Sequence, residues 1–170
     1  MGKGKLAKWK ELATFERVFE PTLQDAIDGK DFEFRGEWSQ RVFGNDHPIV
    51  LELGCGKGEY TIAQARKNPD CNFIGVDIKG QRVWKGAKTI NEEDIRNVAF
   101  LRTRIEFIDR YFAPDEVSGI WLTFSDPQPK DEKGTKRITS SHFIEDRYRT
   151  ILKPGTVIHV QSDSPLHYAL

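Results

Sequence analysis

From residue 48 onward, short apolar runs alternate with stretches in which apolar residues recur every three or four positions. The runs predict buried β-strands, and the three-to-four spacing predicts helices with one buried face. The predicted strands cover residues 49–53, 72–77, 98–101, 119–124 and 156–160. The predicted helices cover residues 58–67, 79–91, 106–111 and 140–152. This alternation predicts an α/β fold, a doubly wound Rossmann-like parallel sheet with helices on both faces.

The first 47 residues show weaker periodicity, and we interpret residues 1–47 as a basic N-terminal arm and helical lead-in to a domain over residues 48–170. Four lysines precede the first acidic residue, Glu11: Lys3, Lys5, Lys8 and Lys10. Such an arm is typical of nucleic-acid contact, although a disordered soluble tail explains it equally well. Four apolar side chains are predicted to anchor this segment to the core: Phe15, Val18, Phe19 and Trp38.

Glycine occupies every second position directly after the first predicted strand, at Gly54, Gly56 and Gly58. A turn without Cβ atoms between a strand and a helix lets the backbone approach a nucleotide-like ligand. The second predicted strand ends at Asp77, whose carboxylate can accept hydrogen bonds from both hydroxyls of a ribose. Together these features favour an adenosine-cofactor site over a tight turn that binds nothing.

The identity of the cofactor depends on the glycine spacing and on one carboxylate. A dinucleotide site has the spacing G-x-G-x-x-G, whereas the third glycine here comes one position early. Glu52, just before the turn, would repel a pyrophosphate but suits a cationic ligand. S-adenosylmethionine carries a sulfonium and an ammonium and has no phosphate. The pattern therefore favours S-adenosylmethionine over NAD.

Composition narrows the class of protein further. The 170 residues fit one domain, and 26 basic against 26 acidic residues give no net charge, so any nucleic-acid contact must come from local patches. Only two cysteines, Cys55 and Cys71, occur without a secretory signal, which predicts reduced thiols and a cytoplasmic protein. The scattered histidines predict no metal site, and no apolar run reaches the roughly 20 residues of a membrane span.

A second group of charged residues follows the strand predicted over residues 119–124. Asp126 comes at the strand's carboxyl end, where ligands of open α/β sheets bind, and two prolines stiffen the loop from there to Lys130. More basic residues follow: Lys133, Lys136 and Arg137. This loop favours a polyanionic substrate such as RNA. Another stripe lies along the helix over residues 79–91, where RNA contact and simple solvation remain equally open: Lys79, Arg82, Lys85 and Lys88.

With this loop, the chain resembles the bacterial single-chain tRNA (guanine-N7)-methyltransferases. The resemblance runs from about residue 48 to residue 163. It is carried by the turn over residues 51–58, the strand over 73–77 and above all the Phe-Ser-Asp-Pro-Gln-Pro-Lys segment over 124–130. Residues 136–140, residues 148–155 and the Ser162-Asp163 pair continue it in order.

The resemblance implies the fold of an S-adenosylmethionine-dependent methyltransferase. It also implies an enzyme that transfers a methyl group to N7 of a guanine in the variable loop of tRNA. It implies a cofactor site formed by Glu52, Gly54, Gly56, Gly58, Asp77, Arg104 and Asp126. Within that site, Glu52 lies near the methionine end and Asp77 at the ribose. Asp126 is implied as the catalytic carboxylate bordering cofactor and base. The residues implied or predicted to bind tRNA are Lys130, Asp163, Lys136 and Arg137. We expect a monomer or homodimer.

The chain departs from the family pattern in three ways. Gln128 stands where the family usually has an aromatic residue, and Arg104 stands where it commonly has an acid. The family also continues into two more strands carrying a Thr-x-x-Glu substrate motif, so we expect this chain to lack those C-terminal strands. Two alternatives therefore stay open: a methyltransferase of another substrate, and a non-catalytic remnant that binds RNA or cofactor.

Overall fold

The computed structural model describes residues 3–124, 148–156 and 158–162, which contain one sheet of six parallel strands. The strands are β1 (Val18–Phe19), β2 (Ile49–Leu53), β3 (Asn72–Asp77), β4 (Val98–Arg102), β5 (Gly119–Phe124) and β6 (Ile158–Ser162). Their order across the sheet is β1-β4-β3-β2-β5-β6. Every pairing between neighbouring strands is parallel.

One helix precedes the first strand, and the others lie between successive strands of the chain. The helices are α1 (Lys3–Leu12), α2 (Leu23–Ile27), α3 (Glu59–Lys67), α4 (Gly80–Glu92) and the single turn α5 (Arg149–Ile151). A π-helical segment covers Trp38–Phe43, and a 3-10 helix covers Ile105–Arg110. The predicted doubly wound α/β architecture is thereby confirmed for the part of the chain that the structure describes.

The direction of winding reverses beside β2. The chain runs from β2 through β3 to β4 on one side, and then returns to place β5 and β6 on the other side. In open parallel sheets, ligands bind at such a switch point, outside the carboxyl ends of the strands. The glycine turn after Leu53 begins at the carboxyl end of β2, so the fold brings it to this point.

Each face of the sheet carries its own apolar core. One core contains Leu51 and Leu53 of β2 together with Trp38, which is fully buried. The opposite core contains Phe100 of β4, packed against the buried side of α4 and against Leu12 of α1. Because side chains alternate along β2, Glu52 lies on the α3 side of the sheet, opposite Leu51 and Leu53.

The amino-terminal segment differs most from the sequence prediction. The lysine-rich start forms the helix α1, whose Leu12 is completely buried, so the alternative of a disordered tail is wrong for residues 3–12. β1 adds a strand beside β4 that the weak periodicity did not predict. The predicted anchoring role is confirmed for all four side chains, which belong to or pack against the two cores: Phe15, Val18, Phe19 and Trp38.

Smaller corrections concern the carboxyl-terminal elements. The last strand runs over Ile158–Ser162 rather than residues 156–160, because Pro154 and Gly155 form a turn that delays its start. The helix predicted over residues 106–111 is a 3-10 helix that begins one residue earlier. Most of the helix predicted over residues 140–152 lies outside the described residues, and only α5 of it is described.

Gly86 of α4 sets how closely this helix approaches the glycine turn. A Cβ atom at Gly86 would lie 2.6 Å from the Lys57 carbonyl oxygen and 2.7 Å from the Phe100 ring. Replacing Gly86 with alanine is therefore expected to lower the free energy of unfolding by about 1–3 kcal/mol, despite the better helix propensity of alanine. Chemical denaturation measures this change. Gly4→Ala in α1, where an added Cβ meets nothing within 4 Å, is the control and should not lower stability.

Candidate functional site

The glycine turn folds back onto the end of β3. The backbone N–H groups of Gly54 and Cys55 both donate to the Val76 carbonyl oxygen, at 2.8 and 3.0 Å. The three glycines of the turn have φ values of 74°, 57° and 75°, in the left-handed region that other residues rarely adopt. This conformation is the physical reason for glycine at every second position.

Gly56 and Gly58 have different surroundings in the turn. A Cβ atom at Gly58 would lie 2.6 Å from the Phe100 ring, so Gly58 is packed against the core. A Cβ atom at Gly56 would meet nothing within 4 Å, so the turn is open at this position. The Gly56 backbone is therefore accessible to a ligand, whereas Gly58 is held against the Phe100 ring of the core.

Asp77 is fixed by two backbone hydrogen bonds. Its Oδ2 accepts from the Gly56 N–H at 2.9 Å, and its Oδ1 accepts from the Lys79 N–H at 2.9 Å. A carboxylate oxygen can accept two hydrogen bonds, so each oxygen keeps acceptor capacity for a ligand. Asp77 thus joins the turn to the start of α4 and presents two aligned acceptors, as recognition of two adjacent hydroxyl groups requires.

Glu52 is a carboxylate buried beside the turn. It pairs in register with Gly75 of β3 and Trp121 of β5, and only 5% of it is exposed. Burial raises the pKa of Glu52 to about 7, against a smaller lowering effect of the Thr61 hydroxyl. The Thr61 hydroxyl is close enough to Glu52 to have this effect but does not reach full hydrogen-bond geometry, and among the described residues neither Glu52 Oε2 nor Thr61 Oγ1 has a hydrogen-bond partner. Buried polar atoms are normally paired, so this oxygen fits a site completed by a bound donor or cation.

An open cleft of about 430 Å³ lies beside Asp77. It is lined by Gly54, Asp77, Ile78, Thr103, Arg104, Ile105 and Glu106. The predicted position Arg104 is thus in the same cleft as Gly54 and Asp77. Sequence reasoning missed Ile78, which is 47% exposed and offers an apolar surface to a flat base, and the carboxylate of Glu106. Both residues follow the ends of β3 and β4, a position that could have identified them.

The two cysteines are free thiols, as predicted. Cys55 lies in the turn itself and is buried. Burial raises the pKa of its thiol well above the usual value, and the nearby carboxylates of Asp77 and Glu52 add to this effect. A thiol that stays protonated is a poor nucleophile, so Cys55 acts in packing.

Several predicted site residues lie outside the described residues: Asp126, Lys130, Lys136, Arg137 and Asp163, together with Gln128. Phe124 and Ser162, the last described residues before Asp126 and Asp163, are register partners in β5 and β6. Within the described ranges, no group of three His, Cys, Asp or Glu side chains is arranged to hold a metal ion. No helix there has the length and apolar character needed to cross a membrane.

Comparison with known proteins identifies the family. A family model described as "Putative methyltransferase" matches residues 46–170. A tRNA (guanine-N(7)-)-methyltransferase of Bacteroides thetaiotaomicron is 57% identical over 164 residues, which are 96% of this chain and 64% of that protein. Another relative of that name, from Christiangramia forsetii, is 54% identical over 162 residues, which are 95% of this chain and 71% of that protein. The chain belongs to the tRNA (guanine-N7)-methyltransferase family.

The family assignment agrees with the resemblance drawn from the glycine turn and the Asp-Pro-x-Pro-Lys loop. A solved structure described as an antibiotic related methyltransferase matches with a TM-score of 0.62 at 14% sequence identity. The match covers 83% of this chain and 71% of the chain in that structure. At that identity the likeness supports the fold alone. The chain spans 64% of the Bacteroides relative, so the activity of the whole enzyme is a proposal for this chain.

Proposed function

We propose that this chain binds S-adenosylmethionine at the glycine turn and transfers its methyl group to N7 of a guanine in tRNA. Residues 48–170 form the catalytic domain in this proposal, which also implies a cytoplasmic location. The observation that carries the proposal is the buried, unpartnered carboxylate oxygen of Glu52 beside an open glycine backbone. A buried carboxylate beside a nucleotide-type turn fits a cationic adenosine cofactor and disfavours a pyrophosphate.

Each described residue of the site has a distinct binding role in this proposal. Asp77 accepts hydrogen bonds from the ribose hydroxyls, because its two oxygens are already aligned by the Gly56 and Lys79 N–H groups. Glu52 neutralises the positive charge at the methionine end of the cofactor. The cleft from Ile78 to Glu106 receives the adenine, with the exposed Ile78 side chain against its face. Bound in this way, the cofactor supplies an electrophilic methyl group on a sulfonium.

The proposed reaction requires little acid–base catalysis from the protein. Guanine N7 has a free lone pair, so no base is needed to remove a proton before methyl transfer. The chain must instead align N7 with the methyl group and exclude water, which is catalysis by positioning. We assign Asp126 to the guanine edge, where a carboxylate stabilises the positive charge that develops on the base. Lys130 and Asp163 contact the substrate, and Lys136 and Arg137 bind the RNA backbone.

The product of the reaction tests the proposal directly. The chain is incubated with unmodified tRNA and S-adenosylmethionine carrying a labelled methyl group, and the tRNA is then digested to nucleosides. Label in 7-methylguanosine is the expected result. Label in another nucleoside would instead favour a methyltransferase of different specificity. Absence of label from tRNA, with S-adenosylhomocysteine still bound in calorimetry, would favour the non-catalytic alternative.

Asp126→Ala separates transfer from cofactor binding. We expect the rate of 7-methylguanosine formation to fall at least about tenfold, since a hydrogen bond to a charged group contributes about 1.5–3 kcal/mol. The affinity for S-adenosylhomocysteine should change by less than about threefold, because the assigned contact is to the base. Single-turnover kinetics and calorimetry measure the two quantities. Equal transfer rates for the variant and the unmodified chain would contradict the catalytic role.

A further inference from the structure

The lysine-rich helix α1 packs firmly against α4. Its Leu12 is completely buried in the same core as Val83 and Ala87 of α4. At the seam between the helices, the indole Nε1–H of Trp84 donates to the Glu11 carboxylate at 3.0 Å. The basic amino-terminal segment is therefore held in a fixed position relative to the basic stripe on α4.

Aromatic rings bring cations of both helices together at this seam. The ammonium of Lys8 in α1 lies 4.7 Å from the centre of the Trp84 ring, and that of Lys88 in α4 lies 5.0 Å from it. Lys5 lies over the ring of Trp9 at 5.1 Å. Cation–π contacts hold ammonium groups in place without neutralising their charge. The seam therefore keeps its positive charge available to a ligand.

Acidic side chains leave most of this charge unbalanced. The acids within α1 and α4 are Glu11, bonded to Trp84, and Glu92, which lies 3.9 Å from Lys88. In the part of the chain that the structure describes, Lys5, Arg82 and Lys85 form no ion pair, and all three are exposed. Four exposed cations elsewhere in the described ranges do pair with acids: Lys30, Arg41, Arg66 and Arg96. We call Lys5, Lys8, Arg82, Lys85 and Lys88 the α1–α4 basic face.

This face is continuous with the cofactor site. α4 begins three residues after Asp77, and the Lys79 N–H donates to the Asp77 carboxylate. On the α1 side, the Arg102 guanidinium lies over the Trp9 ring at 5.5 Å, and its Nε donates to the carbonyl of Ile78, a residue of the cleft. A helix rises about 1.5 Å per residue, so the stripe from Arg82 to Lys88 extends roughly 9 Å further.

We propose that the α1–α4 basic face is a second tRNA-binding surface that holds the phosphate backbone away from the methylated guanine. The proposal rests on the proposed function, because the RNA must first bring a guanine to the carboxyl edge of the sheet. The phosphate backbone of the RNA then continues over the start of α4 and along the unpaired cations. The ligand is RNA in this proposal because its phosphate backbone is complementary in charge to the face. The chain as a whole has no net charge, so these cations are a local concentration at one surface.

The test removes three exposed cations of this face. In Lys5→Gln/Arg82→Gln/Lys85→Gln, we expect tRNA affinity at low salt to fall about tenfold or more. The slope of log K against log[salt] should decrease by about 2 to 3, since each phosphate contact contributes about 0.7–0.9. The S-adenosylhomocysteine affinity should stay unchanged, because none of the three side chains lines the cleft. The thermal midpoint should fall only slightly, because the one described contact that is lost is that of Lys5 with the Trp9 ring. Filter binding over a salt series measures the slope.

The matched control removes the same charge from the opposite edge of the sheet. Lys67, Arg149 and Lys153 lie there, near the amino ends of the strands, and all three are exposed and form no ion pair within the described ranges. Their triple glutamine variant should bind tRNA with an unchanged slope. Equal losses in both variants, or no change in the first, would overturn the proposal. Failure of the proposed function is separate, because it appears as absent 7-methylguanosine in the unmodified chain whatever the salt slopes are.

Discussion

Glu52→Gln is expected to weaken binding of S-adenosylmethionine roughly 30-fold or more, while making the folded protein more stable at pH 8. The loss follows from the burial of Glu52, which is 5% exposed. Removing one partner of a buried charge pair costs about 2–5 kcal/mol of binding free energy. Glutamine has nearly the same shape, so the loss would come from the charge rather than from a cavity.

The pH dependence of binding provides a second readout. Burial raises the pKa of Glu52 to about 7, so the carboxylate is mostly protonated at pH 5.5 and mostly ionised at pH 8. A cationic ligand binds the ionised form. We therefore expect cofactor affinity to rise roughly 15- to 30-fold between pH 5.5 and pH 8, and to level off above pH 7. In Glu52→Gln the affinity should be nearly independent of pH across this range.

Stability should change in the opposite direction. An ordinary Glu has a pKa of 4.5, and folding raises that of Glu52 to about 7, so folding takes up a proton between these values. The contribution of this group to stability is complete below pH 4.5 and is lost as the pH rises through 7. The loss corresponds to roughly 3 kcal/mol of the free energy of unfolding. Glu52→Gln avoids burying the charge and should recover most of it at pH 8.

Calorimetric titration and denaturation at pH 5.5 and pH 8 measure both effects. Glu92→Gln, the same chemical change on an exposed residue at the end of α4, is the control and should alter neither quantity by much. A Glu52→Gln protein that binds the cofactor as tightly as the unmodified chain at pH 8 would show that this carboxylate does not meet the cation. The stability gain would then have a purely structural cause.

Local patterns were sufficient to predict the central part of the fold. The bounds of β2, β3 and β5 agree with the predicted strands, because each is a mostly apolar run. β2 ends at the glycine turn and β3 at Asp77, which marks their carboxyl ends in the sequence. The conformation of the glycine turn also follows from the sequence, since only glycine adopts positive φ at every second position without strain.

The unpredicted elements depend on contacts between distant parts of the chain. α1 has few apolar residues, and the burial of its Leu12 depends on packing against α4, about 70 residues further along. β1 has only two residues, too few for a period to be seen, and it forms because its backbone pairs with β4. Similarly, Ile78 and Glu106 enter the cleft because β3 and β4 are neighbours, which the sequence pattern alone does not establish.

Asp77→Asn is expected to reduce the affinity for S-adenosylhomocysteine about 100-fold. The aspartate oxygens accept from the Gly56 and Lys79 N–H groups and keep acceptor capacity for a ribose. An amide has one oxygen and one NH₂ group, so it must turn a donor toward either Gly56 or Lys79 and leaves that N–H unpaired. It also loses the charge that strengthens the ribose contacts. Hydrogen bonds to charged groups contribute about 1.5–3 kcal/mol each, which gives the expected loss.

The same substitution should also loosen the turn, because the Asp77 carboxylate is what connects Gly56 to the start of α4. We expect unfolding to become easier by about 1–2 kcal/mol, the usual cost of an unsatisfied backbone donor. Asp70→Asn, in the exposed turn before β3, makes the same chemical change and should leave both affinity and stability unchanged. Glu52→Gln should raise stability at pH 8, whereas Asp77→Asn should lower it, although both weaken the cofactor. Opposite signs of the stability change would therefore distinguish the two carboxylates. Glu52 would serve only to bind the cationic ligand, whereas Asp77 would also stabilise the fold.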